Sequence, residues 1–194
     1  MQFQATITNE EINELRLDQY NGIVHVITQE YELNEVFRQI NAHETVGFDT
    51  ETKPVFVKGK YNHVSLVQLA IPDAVYLIRV NELGLPDQLC ELFSNPDIKK
   101  LGVALADDIK DLQKLRKFTP NGFVELSNLV DDLGIESNGL RKLTATILGF
   151  RISKNAQVSN WEAPVFSEKQ IRYAATDAWV ALEMYNKLKG LNLI

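Results

Sequence analysis

The chain has 194 residues, 45% of them hydrophobic and 24% charged, a balance that suits one globular domain spanning 1–194 and leaves little room for a second. Its single cysteine, Cys90, excludes an internal disulfide and a cysteine-cluster metal site, and the apolar setting "LCELF" predicts a small buried residue. A formal charge of −6 and a pI near 5.1 argue against a protein that coats nucleic acid through a broad basic surface, though not against an enzyme working on one end of it. No segment approaches the roughly 18 apolar residues of a membrane span, and "MQFQATITNEEINELRL" has no apolar run of signal type. The expectation is a cytoplasmic protein with no membrane partner and no evident obligate protein partner.

Strand and helix character alternate from Ile23 onward. "GIVHVIT" reads as a strand and "NEVFRQINA" as an amphipathic helix with Val36, Phe37 and Ile40 on one face. "TVGFD" is the next strand. "VSLVQLAI" and "AVYLIRV", separated by Pro72 and Asp73, read as two strands of a hairpin. "LPDQLCELFSN" is a helix, "KKLGVAL" leads from a strand into a helix through Leu115, and helices follow at "VELSNLVDDLG", "LRKLTATILGF" and "EKQIRYAATDAWVALEMYNKLKG". Strands first and helices crowding the C-terminal half imply a mixed sheet flanked by helices, α/β or α+β. The segments 53–63 and 151–167 exceed ordinary connections and are candidates for function. Basic clusters at Lys58 and Lys60, Lys99 and Lys100, Lys110 to Lys117 and Arg141 read mostly as solvated faces. The histidines His25, His43 and His63 have no metal-ligand spacing.

Three stretches set acids against the apolar pattern. In "VGFDTET" the strand alternation puts Gly47, Asp49 and Glu51 on one face, Gly47 leaving open space beside the acids. Carboxylates about 6–7 Å apart repel, and a divalent cation such as Mg²⁺ or Mn²⁺ relieves them; a strand end running into solvent would equally tolerate them. In "LADDIKDLQKL", at 100° per residue from Leu105, Ile109, Leu112 and Leu115 fall at about 40°, 340° and 280°, and Asp108 joins their arc at about 300°. Asp107 and Asp111, at about 200° and 240°, lie outside it, with Asp107 kept as a fallback. In "QIRYAATDAWVALEMY" small alanines allow close packing, and Tyr173 and Asp177, one turn apart, share its flank. That pair alone reads first as an ordinary structural hydrogen bond. Trp179 points to the polar side, under a loop or partly exposed.

Taken in order, "FDTET", "LGVALADDIKDL" and "YAATD" resemble the three motifs of the DEDD superfamily of 3′-5′ exonucleases. The Y-x-x-x-D spacing marks its DEDDy subgroup, and "NWEAPVFSEKQIRYAATDAW" is similar to the closing segment of the Werner-helicase exonuclease and ribonuclease D branch. The motif-bearing core covers about 23–190. The resemblance implies an RNase H-like fold and two divalent metal ions, Mg²⁺ or Mn²⁺, held by Asp49, Glu51, Asp108 and Asp177, with Tyr173 orienting the attacking water. Ala104 stands where some members carry asparagine. The partner so implied is DNA or RNA with a free 3′ end, single-stranded or frayed, contacted by the backbone around Thr50 and Thr52, with Lys53 on a phosphate and Phe56 or Tyr61 available for base stacking. A rival expectation is a non-catalytic nucleic-acid-binding module of the same fold; a Ca²⁺-stabilised interaction domain is a third.

Overall fold

Six strands build one sheet in the computed structural model, which describes residues 3–194; the first two residues of the expected domain lie outside them. They are β1 (Ile23–Ile27), β2 (Thr45–Thr52), β3 (Val64–Ile71), β4 (Ala74–Ile78), β5 (Lys99–Gly102) and β6 (Phe123–Glu125), in the order β1-β4-β3-β2-β5-β6. β3 pairs antiparallel with both β2 and β4, whereas β1–β4, β2–β5 and β5–β6 are parallel. The β3–β4 hairpin turns at Pro72 and Asp73, and every residue of both strands is buried. Mostly apolar runs have this consequence when helices cover both faces of a sheet.

One face carries helices α2 (Glu30–Ile40), α4 (Asp87–Ser94) and α5 (Leu105–Leu115), packed through Val36, Phe37, Ile40, Phe48, Phe93 and Leu112. The other carries α6 (Leu126–Asp131), α7 (Leu140–Leu148) and α8 (Glu168–Gly190), packed through Leu66, Leu101, Leu143, Trp161 and the alanines of α8. α8 begins with a reciprocal capping box between Ser167 and Gln170. Its row Ala174, Ala175, Ala178 and Ala181 is fully buried, and small side chains there let its backbone come close to β2.

Several elements differ from the sequence reading. Two short helices were not anticipated, α1 (Asn9–Glu14), held by a Thr8–Glu11 capping box, and α3 (Val80–Leu83), which takes over where "AVYLIRV" was expected to continue as strand. The helix expected at "VELSNLVDDLG" starts only at Leu126, because Phe123–Glu125 pair with β5. Cys90 is half-buried, at the edge of the core. Lys100 departs from the solvated pair foreseen with Lys99: it is fully buried, and its Nζ donates to the carbonyls of Asn95 (2.6 Å) and Ile98 (2.7 Å). Trp179 is partly buried, its ring stacked on Phe150 and tilted against Tyr20. No helix among the described residues is long and apolar enough to cross a membrane.

Candidate active site

The central strand β2 has an antiparallel neighbour on one side and a parallel one on the other, so its carboxyl end lies where strand direction switches. Ligands of open α/β sheets bind outside strand ends at such points. Asp49 and Glu51 sit on this end. Directly after Glu51 the register with β3 slips at a bulge between Glu51 and Thr52, which turns the chain away and leaves the acids at the rim.

Each remaining member arrives from a different layer. α8 lays Asp177 beside β2, and Gly47 permits the approach: a Cβ there would lie 2.0 Å from the Ala178 carbonyl oxygen and 3.2 Å from Ala70 Cβ. The open space expected next to Gly47 is therefore filled by the α8 backbone. Contact that close needs a residue with no side chain. From the opposite face α5 brings Asp108, whose Oδ1 accepts a hydrogen bond from the Thr50 hydroxyl. Its neighbours face outward: Asp107 pairs with Lys110 at 3.0 Å and Asp111 with Lys114 at 2.6 Å.

The turn into α5 is unusual. Ala104 is left-handed (φ 62°, ψ 36°), and α5 has no side-chain cap of its own. Glu125 of β6 supplies one. Its Oε2 accepts the Leu105 N–H at 2.9 Å, while Oε1 accepts the Ser127 N–H (3.2 Å) and hydroxyl (2.9 Å). A left-handed L-residue costs roughly 1–2 kcal/mol. Part of that returns through the more flexible unfolded chain, so Ala104→Gly is expected to stabilise the protein by about 0.5–1 kcal/mol in urea unfolding. An unchanged or lower midpoint would refute the strain.

Asp49, Glu51 and Asp108 are partly buried, and Asp177 is 4% exposed. Burial, then the charges of Asp177 and Asp108, hold the Asp49 carboxyl well above the usual carboxylate range. Glu51 is pushed up to about 10 by burial and by Asp49. Asp108 rises to about 6 through burial, against the opposing Thr50 hydrogen bond, and Asp177 to about 7, again through burial. Four acids held above their usual range, two of them also facing the charges of the others, need protons or cations. The Tyr173 phenol lies above its ordinary range, first through burial and then through the charges of Asp177 and Glu51.

Among the described residues, no three of these side chains have closed into a preformed cage. The carboxylates repel, and the Thr50 hydroxyl occupies one oxygen of Asp108. The donor set still suits a hard divalent cation: it is all oxygen, partly desolvated and short of positive charge.

The segment 151–167 frames the hollow. Trp161 is fully buried, edge-on to Phe166 and tilted against Tyr173 with ring centroids 6.1 Å apart, so it backs the phenol. Arg79, 2% exposed, donates to the carbonyls of Ala163 (2.7 Å) and Pro164 (2.9 Å) and lies over Phe166, pinning the segment to the sheet. Lys53, expected on a phosphate, pairs with Glu162 at 2.8 Å and ties 53–63 to 151–167. Phe56 and Tyr61 are 83% and 70% exposed, and Thr52 is half-buried at the bulge. Beside Tyr173 and Asp177 lies a cavity of about 290 Å³ whose wall includes Arg141, Lys142 and Lys154. Trp161, Arg79 and Glu125 were missed in the sequence. The charge of a buried arginine and a capping glutamate gave no periodic signal, whereas "NWEAP" was at least a tryptophan in an irregular segment.

A mixed sheet in this strand order, with acids gathered where its central strand ends, defines an RNase H-like fold. A family model described as 3′-5′ exonuclease matches residues 24–191, and the chain belongs to that family. It is 31% identical over 163 residues to the mouse bifunctional 3′-5′ exonuclease/ATP-dependent helicase WRN, an alignment covering 81% of this chain and 12% of that protein. The Nibbler EXO domain of Aedes aegypti superimposes with a TM-score of 0.80 at 26% identity, covering 90% of this chain and 94% of that one. RNase D of Escherichia coli, an exoribonuclease involved in structured RNA processing, gives 0.75 at 25% identity, covering 86% and 44%. The chain spans less than half the length of the curated relatives it matches. Enzymes of this family generally use divalent metals.

Proposed function

We propose that this chain hydrolyses the 3′-terminal phosphodiester of DNA or RNA and releases nucleoside 5′-monophosphates. The observation that carries this reading is that Asp49 and Glu51, at the end of one strand, lie close enough to Asp108 and Asp177, brought from two distant segments, for those charges to raise both carboxyls, with Tyr173 beside Asp177. The four carboxylates would hold two divalent ions, Mg²⁺ or Mn²⁺. Bound there, such ions activate water and offset charge on the phosphate and the leaving 3′ oxygen in an in-line displacement.

The chain's own groups do the rest. The raised phenol of Tyr173 keeps its proton at neutral pH, so it positions the attacking water by hydrogen bonding and does not act as its base. Trp161 behind it fixes the ring. The backbone at Thr50 and Thr52 would contact the terminal 3′-hydroxyl, and the Lys53–Glu162 pair bridges the two segments that would flank the strand. Arg141, Lys142 and Lys154 have no carboxylate within 4 Å among the described residues. Their position beside Tyr173 and Asp177 supports a polyanionic substrate in spite of the acidic pI. An end without a paired partner strand fits a hollow beyond the carboxyl end of a central strand.

Matched DNA and RNA oligonucleotides, labelled so that each lost 3′ nucleotide is counted, test the reading. Mg²⁺- or Mn²⁺-dependent shortening from the 3′ end with monophosphate products is expected; binding without any shortening would mean a non-catalytic module. Tyr173→Phe should slow turnover by about 10- to 100-fold, as loss of a positioning contact does, with Mn²⁺ affinity unchanged. An unaltered rate would remove the tyrosine from the mechanism.

A further inference from the structure

Gln68 lies on β3 directly opposite Asp49 in the antiparallel register, so the two side chains stand on the same face of the sheet. Its side chain is 0% exposed, and neither its amide nitrogen nor its amide oxygen has a hydrogen-bond partner among the described residues. Such an orphaned pair is costly, because each group has given up water without gaining a partner. A leucine or methionine would pack there without that cost, as Leu66 and Ala70 do two residues to either side on the same face.

We infer that Gln68 is a positioning residue for Asp49, its Nε2–H donating to the Asp49 carboxylate when the site holds divalent cations. A buried carboxylate that binds a cation through one oxygen needs a donor for the other, and hydrogen bonds of this kind typically set metal affinity within 10- to 100-fold. A neutral amide supplies the donor without adding a fifth negative charge to the cluster. Asp49 Oδ1 accepts the Thr50 N–H at 2.9 Å, and since a carboxylate offers about four lone-pair sites, the amide and a cation can both be taken by those that remain. This inference rests on the proposal that Asp49 binds metal.

Gln68→Met and Gln68→Leu test it, with Mn²⁺ binding followed by electron paramagnetic resonance and thermal unfolding measured without metal. The expected result is a Mn²⁺ dissociation constant raised about tenfold, together with a metal-free melting temperature equal to or above that of the wild type. Equal Mn²⁺ affinity in a folded variant would overturn the inference, and so would a lower metal-free melting temperature in both variants, since the amide would then have a partner that needs no metal. Failure of the wild-type protein itself to bind Mn²⁺ would instead overturn the metal reading on which it depends.

Discussion

Asp177→Asn is expected to lower metal-dependent removal of 3′ nucleotides by a thousandfold or more, while raising the melting temperature of the metal-free protein at pH 8 by a few degrees. The activity loss follows from removing one of the four oxygen donors proposed for the ions, which in such sites contribute several kcal/mol to the reaction. The stability gain follows from burial. Asp177 is 4% exposed, and its carboxyl is pushed up to about 7 by that burial. A carboxyl that holds its proton more tightly in the folded chain than in the unfolded one contributes less stability as pH rises, and above pH 7 its charge is a net cost. An amide of the same shape carries no such charge. Asp49→Asn should behave alike. Retained activity, measured on a 3′-labelled strand, or a clear fall in the metal-free melting temperature would contradict the account.

The second large effect is expected at Gly47. An alanine methyl would lie 2.0 Å from the Ala178 carbonyl oxygen, a backbone atom in the middle of a 23-residue helix. Neither partner can rotate away, so α8 must lift from β2 and carry with it Asp177, the residue next to Ala178. Overpacking of this kind costs about 3 kcal/mol or more where backbone is the obstacle. Urea unfolding of Gly47→Ala should show that loss, and the folded remainder should bind Mn²⁺ more weakly. Wild-type stability would show that the helix approaches less closely than described.

Much of this was legible from spacing. Strict alternation placed Asp49 and Glu51 together because the bulge in β2 falls after Glu51 and leaves the earlier register intact. The helical arc separated Asp108 from Asp107 and Asp111, and in the structure both neighbours are engaged with lysines on the outer surface. The β3–β4 hairpin was legible because Pro72 and Asp73 separate two mostly apolar runs. Other features were not. β6 is three residues long and gains its strand character only from pairing with β5, so "FVE" carries no period of its own. Gly47 was read as making room, since a sequence states that a side chain is missing and says nothing of what moves into the gap. Lys100 looked like half of a solvated pair, because the carbonyls that hold it are main-chain atoms of Asn95 and Ile98, invisible as residue types. Glu125 caps a helix twenty residues before it, a relation set by the β5–β6 pairing and not by local pattern.

Anomalous scattering from crystals grown with millimolar Mn²⁺ tests the central claim most directly. The account predicts two manganese peaks about 3.5–4 Å apart, bound by oxygens of Asp49, Glu51, Asp108 and Asp177. Density free of manganese at these four carboxylates, or ions bound only elsewhere on the molecule, would contradict it.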